Sequence, residues 1–160
     1  MIENVKLGKN VKIYHKELVN LYGCIIDDNT KIGSFVEVQK NVKIGKNCKI
    51  ETFAFIPEGV TLEDEVFVGP HACFTNDKLP RATTIKGDLK NEEDWKVSKT
   101  FVKKRASIGA NTTVMCGITI GENSMIGAGS VVIKNVPKDS IVVGNPAKVI
   151  GKVKDLIKRR

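Results

Sequence analysis

The chain has 160 residues, the size of one domain, and it is long enough to bury a hydrophobic core without disulfides or metals. Lysine and arginine total 26 against 18 acidic residues, giving a net charge of +8, while aromatic residues make up only 6%. Basic surfaces attract phosphorylated ligands. Because the sequence has no recognition helix, zinc-ligand spacing or row of stacking aromatics, we expect small phosphorylated ligands and no nucleic acid partner.

The cysteines and the hydropathy of the sequence indicate the cellular compartment of the protein. The cysteines form no CxxC pair and are expected to be reduced and mostly buried: Cys24, Cys48, Cys73 and Cys116. No apolar run approaches the roughly 20 residues of a membrane span, and the N-terminal residues lack the charged-then-apolar pattern of a signal peptide. We therefore expect a cytoplasmic protein without membrane insertion.

A repeat of six residues begins near the N-terminus, with an aliphatic residue at Leu7, Ile13 and Val19. The next residue of the regular pattern is Ile26, so the phase slips by one. We predict one extra residue within 20–25, at Gly23, because a bulge needs backbone freedom.

From Ile26 to Phe74 the repeat is uninterrupted. A large apolar residue occupies every sixth position: Ile26, Ile32, Val38, Ile44, Ile50, Ile56, Leu62, Val68 and Phe74. A small or branched residue follows each of the first eight by four places: Thr30, Val36, Val42, Cys48, Ala54, Val60, Val66 and Ala72. The pattern predicts two inward rows that share one core.

A period of six fits neither the helical period of 3.6 nor a long alternating strand, so it indicates short strands separated by turns. Hexapeptide repeats are typical of a parallel β-helix, in which three hexads make one coil of a triangular prism. About six coils are expected, and their long flat faces predict an oligomer. The period does not determine the handedness of the coil.

The repeat stops after Phe74 and resumes at Val102. The polar segment 75–101 contains the only tryptophan, Trp95, and predicts an excursion loop from the scaffold. Interruptions of this length are usually functional or disordered, although a tolerated surface insertion remains an alternative. The later hits are Val102, Ile108, Val114, Ile120, Ile126 and Val132, with Ala106, Thr112, Ile118, Ser124 and Ser130 in the small row.

The C-terminal residues 149–160 predict a short basic helix or tail, following a repeat domain at 1–148. Such a helix would place four apolar residues on one face: Val149, Val153, Leu156 and Ile157.

The later repeats resemble those of the hexapeptide acyltransferase superfamily. The matching stretches are Ile108-Gly109-Ala110-Asn111, Ile120-Gly121-Glu122-Asn123, Ile126-Gly127-Ala128-Gly129 and the ending Gly144-Asn145-Pro146-Ala147-Lys148. This resemblance implies an all-β, left-handed parallel β-helix that forms a homotrimer, with acetyl-CoA bound and active sites located between subunits.

A narrower resemblance is carried by residues 58–71 and by Phe74-Thr75-Asn76-Asp77 followed by Pro80-Arg81. These motifs are similar to those of N-acetyltransferases that act on nucleotide-linked 3-amino sugars for bacterial surface glycans such as lipopolysaccharide or S-layer glycan. The Asn-Asp-x-x-Pro-Arg form favours a dTDP-3-amino-3,6-dideoxyhexose as acceptor. A UDP-linked 3-amino glucuronate, or another small amine or hydroxyl, is the alternative.

The resemblance also implies site residues. Asn76 would hold the sugar near its amino group, and the substrate-binding candidates are Phe74, Asp77 and Arg81. The residues themselves suggest the general base, which would most naturally be a histidine. Of the two histidines, His71 lies beside the loop entry and is the candidate, and His15 is the alternative. An Asp77–Arg81 pair with a purely structural role is an alternative. The CoA-binding candidates are Gly117, Ala128, Lys134 and Lys148.

Proton removal need not depend on a protein base. Several relatives have a histidine where this chain has Phe53, so that base is missing here, and the departing CoA sulfur can take the proton instead. No metal is expected, because a zinc carbonic anhydrase on the same scaffold needs three histidine ligands and this chain has two histidines. A non-enzymatic β-helix that serves as an assembly subunit is a further alternative.

Overall fold

The computed structural model describes residues 1–157, which form a coil of short strands. Before the excursion the strands are β1 (Ile2–Glu3), β2 (Lys6–Leu7), β3 (Lys12–Ile13), β4 (Asn20–Tyr22), β5 (Ile25–Ile26), β6 (Lys31–Ile32), β7 (Glu37–Val38), β8 (Lys43–Ile44), β9 (Lys49–Ile50), β10 (Phe55–Ile56), β11 (Val60–Leu62), β12 (Phe67–Val68) and β13 (Cys73–Phe74). After it come β14 (Thr100–Val102), β15 (Ser107–Ile108), β16 (Thr113–Val114), β17 (Thr119–Ile120), β18 (Met125–Ile126), β19 (Val131–Val132), β20 (Ser140–Val143), β21 (Lys148–Lys152) and helix α1 (Val153–Ile157).

Every third strand belongs to the same sheet over most of the coil. Sheet A has the order β1-β4-β7-β10-β13-β16-β19, sheet B the order β2-β5-β8-β11-β14-β17, and sheet C the order β3-β6-β9-β12-β15-β18-β20, with β21 antiparallel at its edge. The predicted all-β, left-handed parallel β-helix with an excursion loop and a short C-terminal helix is confirmed. Sheet A stacks seven strands, so the coil is longer than the six turns expected.

The two inward rows form the core as predicted. All nine large residues from Ile26 to Phe74 are at most 1% exposed, and the eight small-row residues between them are at most 2% exposed. After the excursion, the large row from Val102 to Val132 is again buried. Where the small row carries a hydroxyl, the core supplies a partner: the Thr30 hydroxyl donates to the Gly45 carbonyl at 2.8 Å.

The predicted bulge at Gly23 is wrong. A 3-10 helix at Lys16–Leu18 adds two residues between the row residues Ile13 and Leu21, and the next step, from Leu21 to Ile26, is one residue short. Leu21 is therefore the large-row residue of this coil, and the buried Val19 belongs to the small row.

The excursion and the C-terminus differ from the predicted ranges. Thr100 and Phe101 belong to β14, so the segment outside the coil covers 75–99. In the C-terminal segment, β21 precedes the helix, so Val149 lies in a strand and not on a helical face. Residues 158–160 of the predicted 149–160 tail lie outside the described residues. Within residues 1–157, no helix has the length and apolar character needed to cross a bilayer.

The cysteines are free, and Cys24, Cys48 and Cys116 are buried. Burial raises the pKa of the Cys24 and Cys48 thiols to about 11. Because the folded state holds these protons more tightly, the corresponding stability is complete below an ordinary thiol pKa and is lost as the pH rises toward 11.

We expect Cys24 and Cys48 of the native protein to resist alkylation at pH 8, where a thiol of pKa about 11 is ionised in roughly one molecule in a thousand. Labelling with iodoacetamide followed by peptide mass spectrometry measures this directly. The same reaction in guanidinium chloride is the control and should modify both residues completely. Rapid native labelling of Cys48 would contradict the buried row.

Candidate functional site

A column of polar side chains lies at the AB corner, where the chain passes from sheet A to sheet B. Strand β10 is in register with β7 and with β13, so residues two places beyond the inward row fall above one another. These residues are Lys40, Glu58 and Asn76. The spacing between neighbouring parallel strands, about 4.8 Å, separates their backbones.

The excursion folds back against this column and forms a cleft with it. The cleft has a volume of about 460 Å³. Its walls come from four coils and from the excursion: Tyr22, Gln39, Lys40, Glu58, Asn76, Glu92, Trp95 and Val97. Two amides, two carboxylates, an ammonium group and two aromatic rings thus surround one opening.

Two close approaches hold the returning arm of the excursion in place. The Ser98 amide donates to the Asn76 carbonyl at 2.9 Å. Gly59 has a φ of +93°, and a Cβ atom there would lie 2.4 Å from Cγ1 of Val97. Only glycine leaves the space that Val97 occupies, so the position of Trp95 depends on Gly59.

Glu58 is the most constrained carboxylate of the cleft. Its Oε1 accepts a hydrogen bond from Nδ2 of Asn41 at 2.7 Å, and its amide donates to Oε1 of Gln39 at 3.2 Å. Nζ of Lys40 lies 3.4 Å from Oε1 of Glu92 and 3.9 Å from Oε2 of Glu58. Lys40 therefore connects the coil to the excursion.

Tyr22 closes the N-terminal end of the cleft. Burial, and then the nearby Glu37 carboxylate, raise the pKa of its hydroxyl. The phenol is thus a neutral hydrogen-bonding group at the same corner as Asn76.

Asp77 and Arg81 lie in a second depression that shares Glu92 and Trp95 with the cleft. Its volume is about 540 Å³, and its other lining residues include Lys90. Oδ1 of Asp77 accepts a hydrogen bond from the Leu79 amide at 2.8 Å. No ion pair joins Asp77 to Arg81 within residues 1–157, so the alternative of a structural pair is not supported by their positions.

Phe74 does not fit its predicted role in substrate binding. Its side chain is 0% exposed and belongs to the large inward row. The ring therefore packs in the core, and no face of it is open to a sugar. The motif residue that reaches the cleft is Asn76.

His71 lies at a different corner of the prism from Asn76. It occupies the turn from sheet C to sheet A, the CA corner, with a φ of +57°. Its exposed ring stacks on Phe53, which stacks on Phe35, with ring centroids 4.7 Å apart in both pairs. Within one chain, His71 and Asn76 lie at different corners, on either side of strand β13.

The four predicted CoA-binding residues occupy three places and are all exposed. Gly117 and Lys134 follow β16 and β19 at the AB corner, Ala128 lies at the CA corner, and Lys148 begins β21. Gly117 is beside the excursion, since a Cβ atom there would lie 3.0 Å from Cε of Lys78. One chain therefore does not bring the four residues together.

Sequence reasoning missed Tyr22, Glu58 and Trp95 as members of the cleft. Trp95 was visible only as the single tryptophan of the excursion. A signal for Glu58 existed, because it lies eighteen residues before Asn76 and therefore one coil below it. Among residues 1–157, no group of three histidine, cysteine or acidic residues is arranged to hold a metal ion.

We expect Gly59→Ala to displace the excursion and move Trp95 into water, because the new methyl group would overlap Val97. The emission maximum of this single tryptophan should shift to longer wavelength, and acrylamide should quench it more strongly. Gly87→Ala is the matched control, since Gly87 has nearly the same φ, +92°, with nothing within 4 Å of a Cβ atom. Equal spectra for the two variants would show that the contact does not position the loop.

Residues 23–57 and 99–134 match the family described as bacterial transferase hexapeptide, six repeats. The bifunctional protein GlmU of Lawsonia intracellularis is 33% identical over 138 residues, which cover 86% of this chain and 25% of that protein. The chain thus spans a quarter of that relative and about a third of the next ones.

Two solved structures share the fold at 25% identity. A hexapeptide-repeat-containing acetyltransferase of Vibrio cholerae O1 biovar eltor, complexed with acetyl-CoA, has a TM-score of 0.68, with 88% of this chain and 74% of that chain covered. A galactoside acetyltransferase in complex with coenzyme A has a TM-score of 0.70, with 89% and 70% covered. The chain therefore carries the bacterial transferase hexapeptide repeat and has the fold of hexapeptide-repeat acetyltransferases, which confirms the resemblance found in its sequence.

Proposed function

We propose that the protein is an N-acetyltransferase that moves an acetyl group from acetyl-CoA to the 3-amino group of a nucleotide-linked amino sugar. The favoured acceptor is a dTDP-3-amino-3,6-dideoxyhexose used in bacterial surface glycan synthesis. The observation that carries the proposal is the position of Asn76, which lies in a cleft formed where the hexapeptide repeat is interrupted.

The donor is proposed from the shared fold and from the two solved structures at 25% identity, which contain acetyl-CoA and coenzyme A. Gly117 and Lys134 are the donor-side residues that lie at the AB corner, the corner that also carries the cleft. Ala128 and Lys148 lie elsewhere on the chain, so a shared CoA site requires a neighbouring subunit. A homotrimer with active sites between subunits, in the cytoplasm, is part of the proposal.

In the proposed reaction the sugar amine attacks the thioester carbonyl carbon. The N–C bond forms, the C–S bond breaks, and the proton that leaves nitrogen passes to the CoA sulfur. Asn76 holds the acceptor so that its nitrogen faces the carbonyl, and this alignment is the main contribution of the protein. His71 is a proposed proton acceptor only when a neighbouring subunit brings its CA corner to the cleft.

The chemistry of the two depressions supports an acceptor with a phosphate at one end and a sugar at the other. Arg81 and Lys90 line the second depression, where a guanidinium group matches phosphate oxygens. Asn76 and Glu58 line the cleft and offer hydrogen bonds suited to a sugar. A non-enzymatic assembly subunit would need neither arrangement.

The proposal is tested by following free thiol released from acetyl-CoA with a panel of acceptors. We expect release with dTDP-3-amino-3,6-dideoxyhexoses, weaker release with a UDP-linked 3-amino glucuronate, and none with the corresponding 3-hydroxy nucleotide sugar. Release only with a free sugar, an amino acid or another non-nucleotide amine would show that the acceptor class is wrong. No release with any acceptor would contradict the enzyme assignment.

We expect Asn76→Ala to lower kcat/KM for the amino sugar by about 100-fold, the order of loss caused by misplacing a reacting group. Asn20→Ala, in strand β4 and outside the cleft lining, is the control. Equal activity of the two variants, with unchanged circular dichroism and thermal unfolding, would remove Asn76 from the site.

A further inference from the structure

The carboxylate of Glu58 keeps one oxygen available to a ligand in the cleft. Oε1 of Glu58 is occupied by Nδ2 of Asn41, whereas Oε2 accepts no hydrogen bond within residues 1–157. Its nearest cation, Nζ of Lys40, is 3.9 Å away, beyond the usual hydrogen-bond range. The Glu58 side chain is 23% exposed, and among residues 1–157 no buried side-chain oxygen lacks a partner, so Oε2 is reached from the open cleft and can accept a hydrogen bond from a ligand there.

The position of Glu58 relative to Asn76 is fixed by the coil. The two residues occupy equivalent places on adjacent strands, so their backbones lie about 4.8 Å apart and their side chains project into the same cleft. Groups at this spacing can contact neighbouring substituents of one sugar ring. Asn41 and the Gln39 side chain hold Glu58 on the coil side, which leaves Oε2 as the free acceptor.

The aromatic walls favour a sugar over a bare amine at this point. Tyr22 and Trp95 line the same cleft as Glu58 and Asn76. Aromatic rings offer an apolar surface to the C–H groups of a pyranose, while a carboxylate accepts hydrogen bonds from its hydroxyls. Glu92, the other carboxylate of the cleft, is 87% exposed and lies closer to Nζ of Lys40, at 3.4 Å against 3.9 Å for Glu58, so it is less suited to this task.

We infer that Glu58 is a specificity residue, whose Oε2 accepts a hydrogen bond from the acceptor hydroxyl next to the amino group that Asn76 holds. This inference rests on the proposed function and assigns a second polar contact at the same site. Because a hydroxyl of the opposite configuration points away from Oε2, Glu58 selects between epimers at that carbon. A hydrogen bond to a charged group has the strength needed for such a choice.

The test compares an amino-sugar nucleotide with its analogue lacking the adjacent hydroxyl, in wild type and Glu58→Gln. We expect the wild type to prefer the parent acceptor in kcat/KM by about tenfold or more, and Glu58→Gln to reduce that preference to about threefold or less. The KM for acetyl-CoA should stay unchanged, which also reports a folded site. Glu65→Gln, whose carboxylate pairs with Lys104 and Arg105 on another corner, is the matched control and should keep the full preference.

An undiminished preference in an active Glu58→Gln enzyme would overturn the inference, and so would a wild type that does not distinguish the two acceptors. If Glu58→Gln does not fold, Glu58→Asp replaces it; this variant keeps the charge but withdraws the carboxylate, and should also reduce the preference. The proposed function fails separately, because it predicts thiol release by the wild type with the parent acceptor before any variant is made.

Discussion

The register between consecutive coils is the constraint on which the rest of the structure depends. Over the regular part of the coil, backbone hydrogen bonds place each residue over the one eighteen positions earlier, as Ile50 lies over Ile32. The large row of the core is therefore a column of apolar side chains along the prism. Surface residues obey the same register. Side chains stacked at one corner are therefore separated by the distance between neighbouring strands, whatever the geometry of the individual turns.

This register explains how the excursion can exist without disturbing the scaffold. Across it, Val60 pairs with Thr100 and Phe67 with Ser107, forty residues apart instead of eighteen. Twenty-two additional residues are thus absorbed at one corner, and both flanking sheets continue in phase. Because the coil supplies the stability on either side, the inserted residues are free to meet requirements of binding.

The same register explains which features of the structure could be predicted from the sequence and which could not. The core rows were predicted correctly because a large apolar residue recurs in one row and a small or branched residue recurs in the other. The bulge was misplaced because the repeat in the sequence reveals only the net number of residues added between Ile13 and Ile26. Two residues are added around Lys16–Leu18 and one is lost before Ile26, which together look like a single insertion. Phe74 was misassigned because its motif adjoins the site, while its place in the row buries it.

The eighteen-residue spacing places Glu58 below Asn76, but that spacing alone does not single it out as a cleft residue. Polar residues at turns are the rule in this repeat, and only the returning excursion distinguishes one turn from another by covering it. The residues of the cleft are therefore brought together only when the excursion folds against the coil. Trp95 and Val97 complete the wall of the cleft, and they belong to a segment in which the six-residue repeat is absent.

The net charge of the chain and the charged residues at the site act on a ligand in different ways. The chain carries a net charge of +8, which draws phosphorylated ligands over distances up to the Debye length, about 8 Å at physiological ionic strength. At the site, Arg81 and Lys90 line one depression together with Asp77, Glu58 and Lys40 line the cleft next to it, and Glu92 borders both. Under the proposed function, the acceptor's phosphate would contact Arg81 and Lys90, and its hydrogen-bond donors would meet Glu58 and Asn76. Two cations at one end and a carboxylate with an amide at the other would favour this orientation over the reverse one.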